Sequence, residues 1–133
     1  MAPQRFTPDE AEKLLPRLRD LLVQMQERKA EHDRLERKVL EFEAKMASNG
    51  HMLEKELNEV RQELAKAAAE VNRLIENVQE LGCELKDIDQ GLVDFRCLRD
   101  DREVYLCWKL GEPTIAWWHD LETGVAGRRP LDD

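Results

Sequence analysis

Apolar residues recur at alternating steps of four and three along two long stretches, from Leu14 to Met46 and from Leu53 to Leu81. Seventeen of the nineteen positions on these stripes are apolar, whereas the 41% hydrophobic content of the whole chain would place about eight there. Heptad spacing of this kind is typical of helices that pack along a coiled-coil seam. The two polar members, Arg28 and His32, are interpreted as a break in the seam that fixes the register of the helices.

Signals for helix ends flank both stretches. Thr7-Pro8-Asp9-Glu10 has the form of a capping box with proline at the first helical position, and Pro16 predicts a kink because it removes one backbone hydrogen bond. Ser48-Asn49-Gly50 predicts a tight turn, since glycine and asparagine adopt the left-handed backbone that ends a helix. Leu81-Gly82 predicts the end of the second helix in the same way. Residues 1–81 are therefore predicted to form an antiparallel coiled-coil hairpin that turns at residues 48–50.

The last part of the chain, residues 82–133, has a different pattern. It holds five of the seven aromatic residues, and its apolar positions alternate with polar ones as in half-buried strands. Strands are expected at Gly91–Leu98, Glu103–Leu110 and Thr114–His119, with a turn at Arg99–Arg102 and a closing loop and tail from Asp120 onward, in which a short final strand is possible.

Together these patterns predict an α+β protein. Its first domain is the long antiparallel coiled-coil helical hairpin of residues 1–81, and its second is a small C-terminal antiparallel β module of residues 82–133. Leu15, Leu22 and Ile75 widen the apolar stripe at the open end of the hairpin, where the second helix ends. We expect the β module to pack on this base of the hairpin.

Charge and composition exclude several classes of function. The formal net charge is −8, and a protein that binds nucleic acid or an anionic membrane needs a basic surface instead. No apolar run approaches the roughly 18 residues of a membrane span, and the N-terminus lacks a signal-peptide core. Three cysteines without a C-x-x-C spacing favour reduced thiols. We therefore expect a cytoplasmic protein with no membrane or nucleic-acid partner and no cofactor.

One cluster in the β module combines carboxylate, imidazole, guanidinium and indole groups. Such groups form pockets for small anions or acidic peptides, although an ion-pair network that holds the tail in place explains the same residues. The candidate ligand pocket consists of Glu112, Trp117, Trp118, His119, Asp120, Arg128 and Arg129. We assign no catalytic residue and no metal ligand from this pattern.

Two further combinations involve the cysteines. Cys83, Cys97, Cys107 and His119 are residue types that zinc prefers, but their spacing lacks the close pairs of structural zinc sites. Cys107 and His119 could form a nucleophilic dyad if they shared a face of the sheet. An even loop between their strands places them on opposite faces, and an odd loop or a bulge reverses this. We expect the even loop, and therefore no dyad.

Three segments of this module carry a family resemblance. They are ELGCELKDIDQGLVDF ending at Phe95, LCWKLGE ending at Glu112 and WHDLETGVAGRRP ending at Pro130. The chain resembles the bacterial family catalogued as domain of unknown function 2203 along nearly its whole length. The chain differs from the family's usual sequence at Arg96, where the family has proline, and at Asp101, where the family has glycine. The resemblance implies a small bacterial cytoplasmic protein without an assigned activity, so no catalytic residue is carried over.

The function that these features favour is a non-enzymatic interaction or adaptor protein that binds a protein partner or a second copy of itself. The alternative is a small enzyme or a ligand- or metal-binding protein that uses the acid, His119 and arginine cluster of the β module.

Overall fold

A computed structural model describes residues 4–49 and 53–131 of the chain, except for the side chain of Asn49. The fold is α+β, as the sequence predicts. The described residues form two compact units. Unit 1 contains the residues up to Val23 and those from Ile75 onward, and unit 2 contains Gln24–Leu74. The sequence-based domain boundary between residues 81 and 82 stays a prediction.

The first helix, α1, spans Pro8–Lys13 and begins with the predicted capping box. The Thr7 hydroxyl accepts from the Glu10 N–H at 3.1 Å, and the Glu10 carboxylate accepts from the Thr7 N–H at 2.8 Å. Leu14 keeps helical dihedrals but separates α1 from α2, which spans Leu15–Asn49. Pro16 therefore lies in the first turn of α2, where its missing N–H costs little.

In unit 2, α2 packs against α3, which spans Glu54–Glu80. Ion pairs join the two helices, from Arg28 to Glu70 at 3.2 Å and from Arg61 to Glu43 at 2.7 Å. The buried cluster between the helices comes from the predicted stripes and consists of Leu35, Val39, Leu57, Val60 and Ala67. Coiled-coil geometry stays a prediction, and Gly50 of the predicted turn lies outside the described residues.

Helix α3 ends at Glu80, next to the Leu81-Gly82 stop that the sequence predicts. Gly82 has a φ of +94°, a backbone conformation that disfavours any residue with a Cβ atom and so stops the helix. Within the described ranges, no helix combines the length and the apolar character that are needed to cross a membrane.

Unit 1 contains a five-stranded antiparallel sheet whose strands follow one another in chain order. The strands are β1 (Glu84–Asp87), β2 (Leu92–Arg99), β3 (Arg102–Lys109), β4 (Trp117–Asp120) and β5 (Arg129–Pro130), and a short 3-10 helix (Val125–Gly127) precedes the last strand. The sequence predicted the three central strands to within three residues at each end. It missed β1, which has only four residues and alternates weakly, and allowed β5 only as a short final strand.

The two faces of the sheet differ in chemistry because successive side chains on a strand point to opposite sides. We call one side the apolar face: it carries Val93, Phe95, Val104, Leu106, Trp108 and Trp118, all buried. Phe6 packs edge-on against Phe95 with ring centroids 5.3 Å apart. The other side, the polar face, carries Asp94, Tyr105, Cys107, Trp117 and His119.

Candidate functional site

The register of β3 and β4 decides which side chains meet on the polar face. Cys107 lies opposite Trp117, and Tyr105 lies opposite His119. The number of residues between paired positions is odd, so the expectation that Cys107 and His119 point away from each other is wrong. Asp94 lies opposite Cys107 on the next strand. The sheet therefore brings a carboxylate, a thiol and an imidazole together.

These three side chains are enclosed. Asp94 and His119 are each 2% exposed, and Cys107 is fully buried. Among residues 4–49 and 53–131, Asp94 and His119 are the buried polar or charged residues. One potential ligand atom from each of the three residues lies within 4.8 Å of the other two.

The hydrogen bonds of His119 fix the state of its ring. Nδ1 lies 2.7 Å from the backbone carbonyl oxygen of Asp120, which can only accept, so Nδ1 carries a proton. Nε2 lies 3.2 Å from both carboxylate oxygens of Asp94. In a neutral ring Nε2 would therefore direct a lone pair at two acceptor oxygens. A positive species, either a proton or a metal cation, must lie between His119 and Asp94.

Burial raises the pKa of Asp94 above its usual value, although the charge and the hydrogen bond of His119 work in the opposite direction. Burial also raises the pKa of the Cys107 thiol to about 11, with the negative charge of Asp94 acting in the same direction and Arg128 opposing it. In the absence of a cation, Cys107 is therefore a neutral thiol at pH 7.

Arg128 lies at the edge of this cluster. Its Nη1 is 4.0 Å from the Cys107 sulfur, its Nη2 donates to Glu112 at 2.6 Å, and its guanidinium carbon lies 4.6 Å from the Trp117 ring centroid. Glu112 is itself held by the Lys109 N–H at 2.9 Å. Desolvation disfavours the charge of Arg128, but its hydrogen bonds to Glu112 and Cys107 outweigh this and raise the pKa. Contacts with Cys107, Glu112 and Trp117 therefore fix the orientation of the guanidinium.

On the other side of His119, Tyr105 separates the cluster from a charged network. The two rings have centroids 5.4 Å apart. The Tyr105 hydroxyl donates to Glu84 at 2.8 Å, and the cationic groups of Lys86 and Arg96 lie 4.5 and 5.3 Å from its ring centroid. Glu84 also forms ion pairs with Lys86 and Arg96, at 3.1 Å each, so Tyr105 lies beside a network of charged groups.

The seven residues of the predicted ligand pocket are divided between the two faces. Glu112, Trp117, His119 and Arg128 are connected through Cys107 on the polar face. Trp118, Asp120 and Arg129 belong to the opposite side, where Arg129 stacks 5.0 Å from the Trp118 centroid and reaches Asp120 at 3.7 Å. Whether either group binds a ligand stays a prediction.

Sequence reasoning missed Asp94 entirely, and it considered Cys107 with His119 only as a dyad that the expected even loop excluded and as part of a zinc combination with the other cysteines. A signal for Asp94 was present, since a lone carboxylate interrupts the apolar run Leu92-Val93-Asp94-Phe95. The zinc combination of three cysteines with His119, which their spacing argued against, is not assembled among the described residues. Cys97 lies on the apolar face, and the Cys83 sulfur contacts the Val78 carbonyl oxygen at 3.5 Å. All three cysteines are free and buried.

The donor set fits a transition metal. Thiolate sulfur, imidazole nitrogen and carboxylate oxygen are the ligand types that zinc takes, and tetrahedral bonds of about 2.0–2.3 Å place ligand atoms roughly 3.3–3.6 Å apart. The observed separation of 3.2 Å between His119 Nε2 and Asp94 is close to that spacing. Metal-bound histidines typically donate their second ring N–H to a backbone carbonyl, as His119 does to Asp120.

A family model described as an uncharacterized conserved protein, DUF2203, matches residues 4–131. The chain belongs to this family. No curated protein and no solved structure matches the DUF2203 chain. The family confirms the resemblance in the sequence but assigns no activity, so the function of this DUF2203 protein has to be argued from its site.

Proposed function

We propose that this DUF2203 protein binds a transition-metal ion, with zinc as the first choice, through Asp94, Cys107 and His119. The observation that carries the proposal is the orientation of His119. Its Nδ1 proton is committed to the Asp120 carbonyl oxygen, and its Nε2 faces the Asp94 carboxylate within an enclosed site. This arrangement needs a proton or a metal cation between nitrogen and oxygen.

A metal ion accounts for more of the cluster than a proton does. A proton would satisfy Asp94 and His119, and the neutral Cys107 thiol would then only donate a hydrogen bond to Asp94. A divalent ion uses all three donors, and two anionic ligands, a thiolate and a carboxylate, balance its two positive charges. Binding would also deprotonate Cys107 despite its raised pKa, because a coordinating thiol loses its proton to the metal.

Neighbouring residues would support the ligands. The Asp120 carbonyl holds the His119 ring, and the backbone pairing of β2 with β3 places Asp94 directly opposite Cys107. Because both ligands lie within paired strands rather than in loops, their separation is set by the sheet. Such support lowers the conformational cost of binding.

The test is metal binding by the full-length chain and by matched variants. Protein purified without chelators is analysed by plasma mass spectrometry, and metal-free protein is titrated with Zn²⁺ and with Co²⁺. One equivalent is expected, and bound Co²⁺ should show the near-ultraviolet absorption of a cobalt–thiolate bond. Cys107→Ser should abolish that band and weaken binding at least tenfold, and His119→Gln should weaken binding to the same degree.

Cys97→Ser is the control, because Cys97 is a buried thiol on the adjacent strand but on the apolar face. It should bind Co²⁺ like the original protein. Circular dichroism identifies any variant that fails to fold. Absence of stoichiometric binding, or equal binding by Cys107→Ser and the original protein, would refute the proposal.

A second candidate is the interaction or adaptor function, with a coiled-coil hairpin as the binding element. It is supported by unit 2, in which the described residues include no buried polar side chain and expose Leu40, at 60%, among charged neighbours. Unit 2 would therefore bind a partner through residues on its surface. Pull-downs with the original chain and with Leu40→Glu, compared with Val23→Glu in unit 1, would test this. Loss of the same partner with only the first variant supports the candidate, and unchanged partners exclude Leu40 from it.

A further inference from the structure

The proposed metal site has one ligand fewer than zinc requires. Zinc sites are usually four-coordinate, and those with three protein ligands keep the fourth position for water or an exogenous ligand. The group of His, Cys, Asp and Glu side chains that meets here has three members within the part of the chain that the structure describes. The fourth ligand must therefore come from outside this set.

Arg128 contacts the sulfur side of the site. Its Nη1 lies 4.0 Å from Cys107, and its side chain is 20% exposed, so it connects the enclosed ligands with the surface. A guanidinium has five N–H donors, and the contacts to Glu112 and Cys107 occupy only part of them. Trp117 on its flat side prevents it from rotating freely.

We infer that the fourth coordination position takes a small oxyanion, of the carboxylate or phosphate type, and that Arg128 is its positioning residue. This inference rests on the proposed metal site. A guanidinium next to a divalent cation is repelled by it, and an anionic oxygen placed between them is attracted by both. Arginine also matches the paired oxygens of carboxylates and phosphates better than other cationic side chains do.

Glu112 has a defined part in this arrangement. Its carboxylate is fixed by the Lys109 N–H and accepts from Arg128 at 2.6 Å, so it aims the guanidinium before any ligand arrives. Because Glu112 neutralises the charge of Arg128 in the absence of ligand, the side chain can remain only one-fifth exposed. An arriving oxyanion would share the guanidinium with Glu112 rather than replace it.

The experiment uses the full chain loaded with Co²⁺, whose visible absorption reports the fourth ligand. Sodium acetate and sodium phosphate are titrated at constant ionic strength, with sodium chloride as the reference salt. The two anions change the spectrum if the inference is correct, and their relative affinities show which class is preferred. Arg128→Gln should weaken anion binding about tenfold or more, because it removes charge-assisted hydrogen bonds.

Three variants separate positioning from a general loss of charge or structure. Arg129→Gln removes the adjacent positive charge, which lies on the opposite face with Trp118, and should leave anion affinity unchanged. Arg128→Lys should retain part of the affinity as a point charge. Glu112→Gln should weaken anion binding while leaving the cobalt–thiolate band intact. Each anion titration is run at a Co²⁺ concentration that saturates the variant, so that a change in Co²⁺ affinity does not affect the comparison.

The possible results distinguish the two proposals. If the chain binds no Co²⁺, the proposed function fails and this inference fails with it. If Co²⁺ binds and neither anion changes the spectrum at tens of millimolar, the metal site stands and the inference is overturned. The same conclusion follows if Arg128→Gln and Arg129→Gln weaken the anions equally, because the effect would then be one of net charge.

Discussion

The two faces of the sheet are buried to a similar extent but are built from different chemistry. The apolar face encloses Phe95 and Trp108, both fully buried, and gains stability from the hydrophobic surface that it removes from water. The polar face encloses Asp94 and His119, and burial of a charged pair rarely adds stability, since desolvation offsets the attraction. Burial of the first set therefore drives folding, whereas the second set contributes little to stability and is the better place to look for a function.

The largest effect is expected on the apolar face. Phe95→Ala removes a fully buried ring that packs against Phe6 and should lower the free energy of unfolding by about 3–5 kcal/mol, measured by chemical denaturation. Leu98→Ala on the same strand is the control, because this side chain is 50% exposed and should cost less than about 0.5 kcal/mol. Similar losses in the two variants would contradict the assignment of the core.

On the polar face, the free energy of unfolding that is lost on replacing His119 should depend on whether Asp94 is still present. In metal-free protein, His119→Leu leaves the Asp94 carboxylate buried without its partner and should cost about 3 kcal/mol. The double variant with Asp94→Leu replaces both groups by apolar side chains and should cost less than the single change. Denaturation in the presence of a chelator measures both. A double variant that loses as much as the two single changes combined would mean that Asp94 and His119 are not energetically coupled, which would contradict the pairing.

A third effect concerns pH and Cys83, a buried thiol outside the polar cluster. Burial raises the pKa of Cys83 from 9.0 to about 11, so the folded state holds this proton more tightly than the unfolded state does. Its contribution is complete below pH 9 and should be lost as the pH rises to about 11, by about 3 kcal/mol in total. Cys83→Ser should remove that part of the pH dependence and leave the contribution of Cys107. An unchanged slope would contradict the burial of Cys83.

The smallest effect is expected at the turn that joins β2 to β3. Both strands contribute side chains to both faces, so the turn supports the two faces equally. Asp100 and Asp101 have φ values of 52° and 64°, in the left-handed region that disfavours residues with a Cβ atom. Asp101→Gly should raise the free energy of unfolding by about 0.5–1 kcal/mol without changing metal affinity. A decrease in the thermal midpoint would show that the Asp101 side chain makes a stabilising contact.

The apolar part of the fold could be predicted from the sequence because it depends on the local periodicity of apolar residues. The heptad stripes gave the helices, the capping box at Thr7 gave the start of α1, and alternation from Val104 to Trp108 gave one face of β3. The strand β1 was missed because Glu84–Asp87 is short, and three of its four residues are charged. Its pairing with β2 is a long-range property that no local pattern reveals.

The candidate site could not be predicted because it depends on the register of three strands. Asp94, Cys107 and His119 are separated by more than ten residues each, and a shift of one residue between β3 and β4 would move His119 to the other face. The loop between these strands contains Gly111 and Pro113, which allow more than one loop length. At Asp101, where the resemblance led us to expect glycine, the backbone has a positive φ, which glycine adopts without strain.

X-ray absorption at the zinc edge of the purified full-length chain tests the central claim most directly. We expect one sulfur ligand at about 2.3 Å together with nitrogen or oxygen ligands at about 2.0 Å, and loss of the sulfur shell in Cys107→Ser. A first shell made only of oxygen and nitrogen in the original protein, or a sulfur shell that persists after Cys107→Ser, would contradict it.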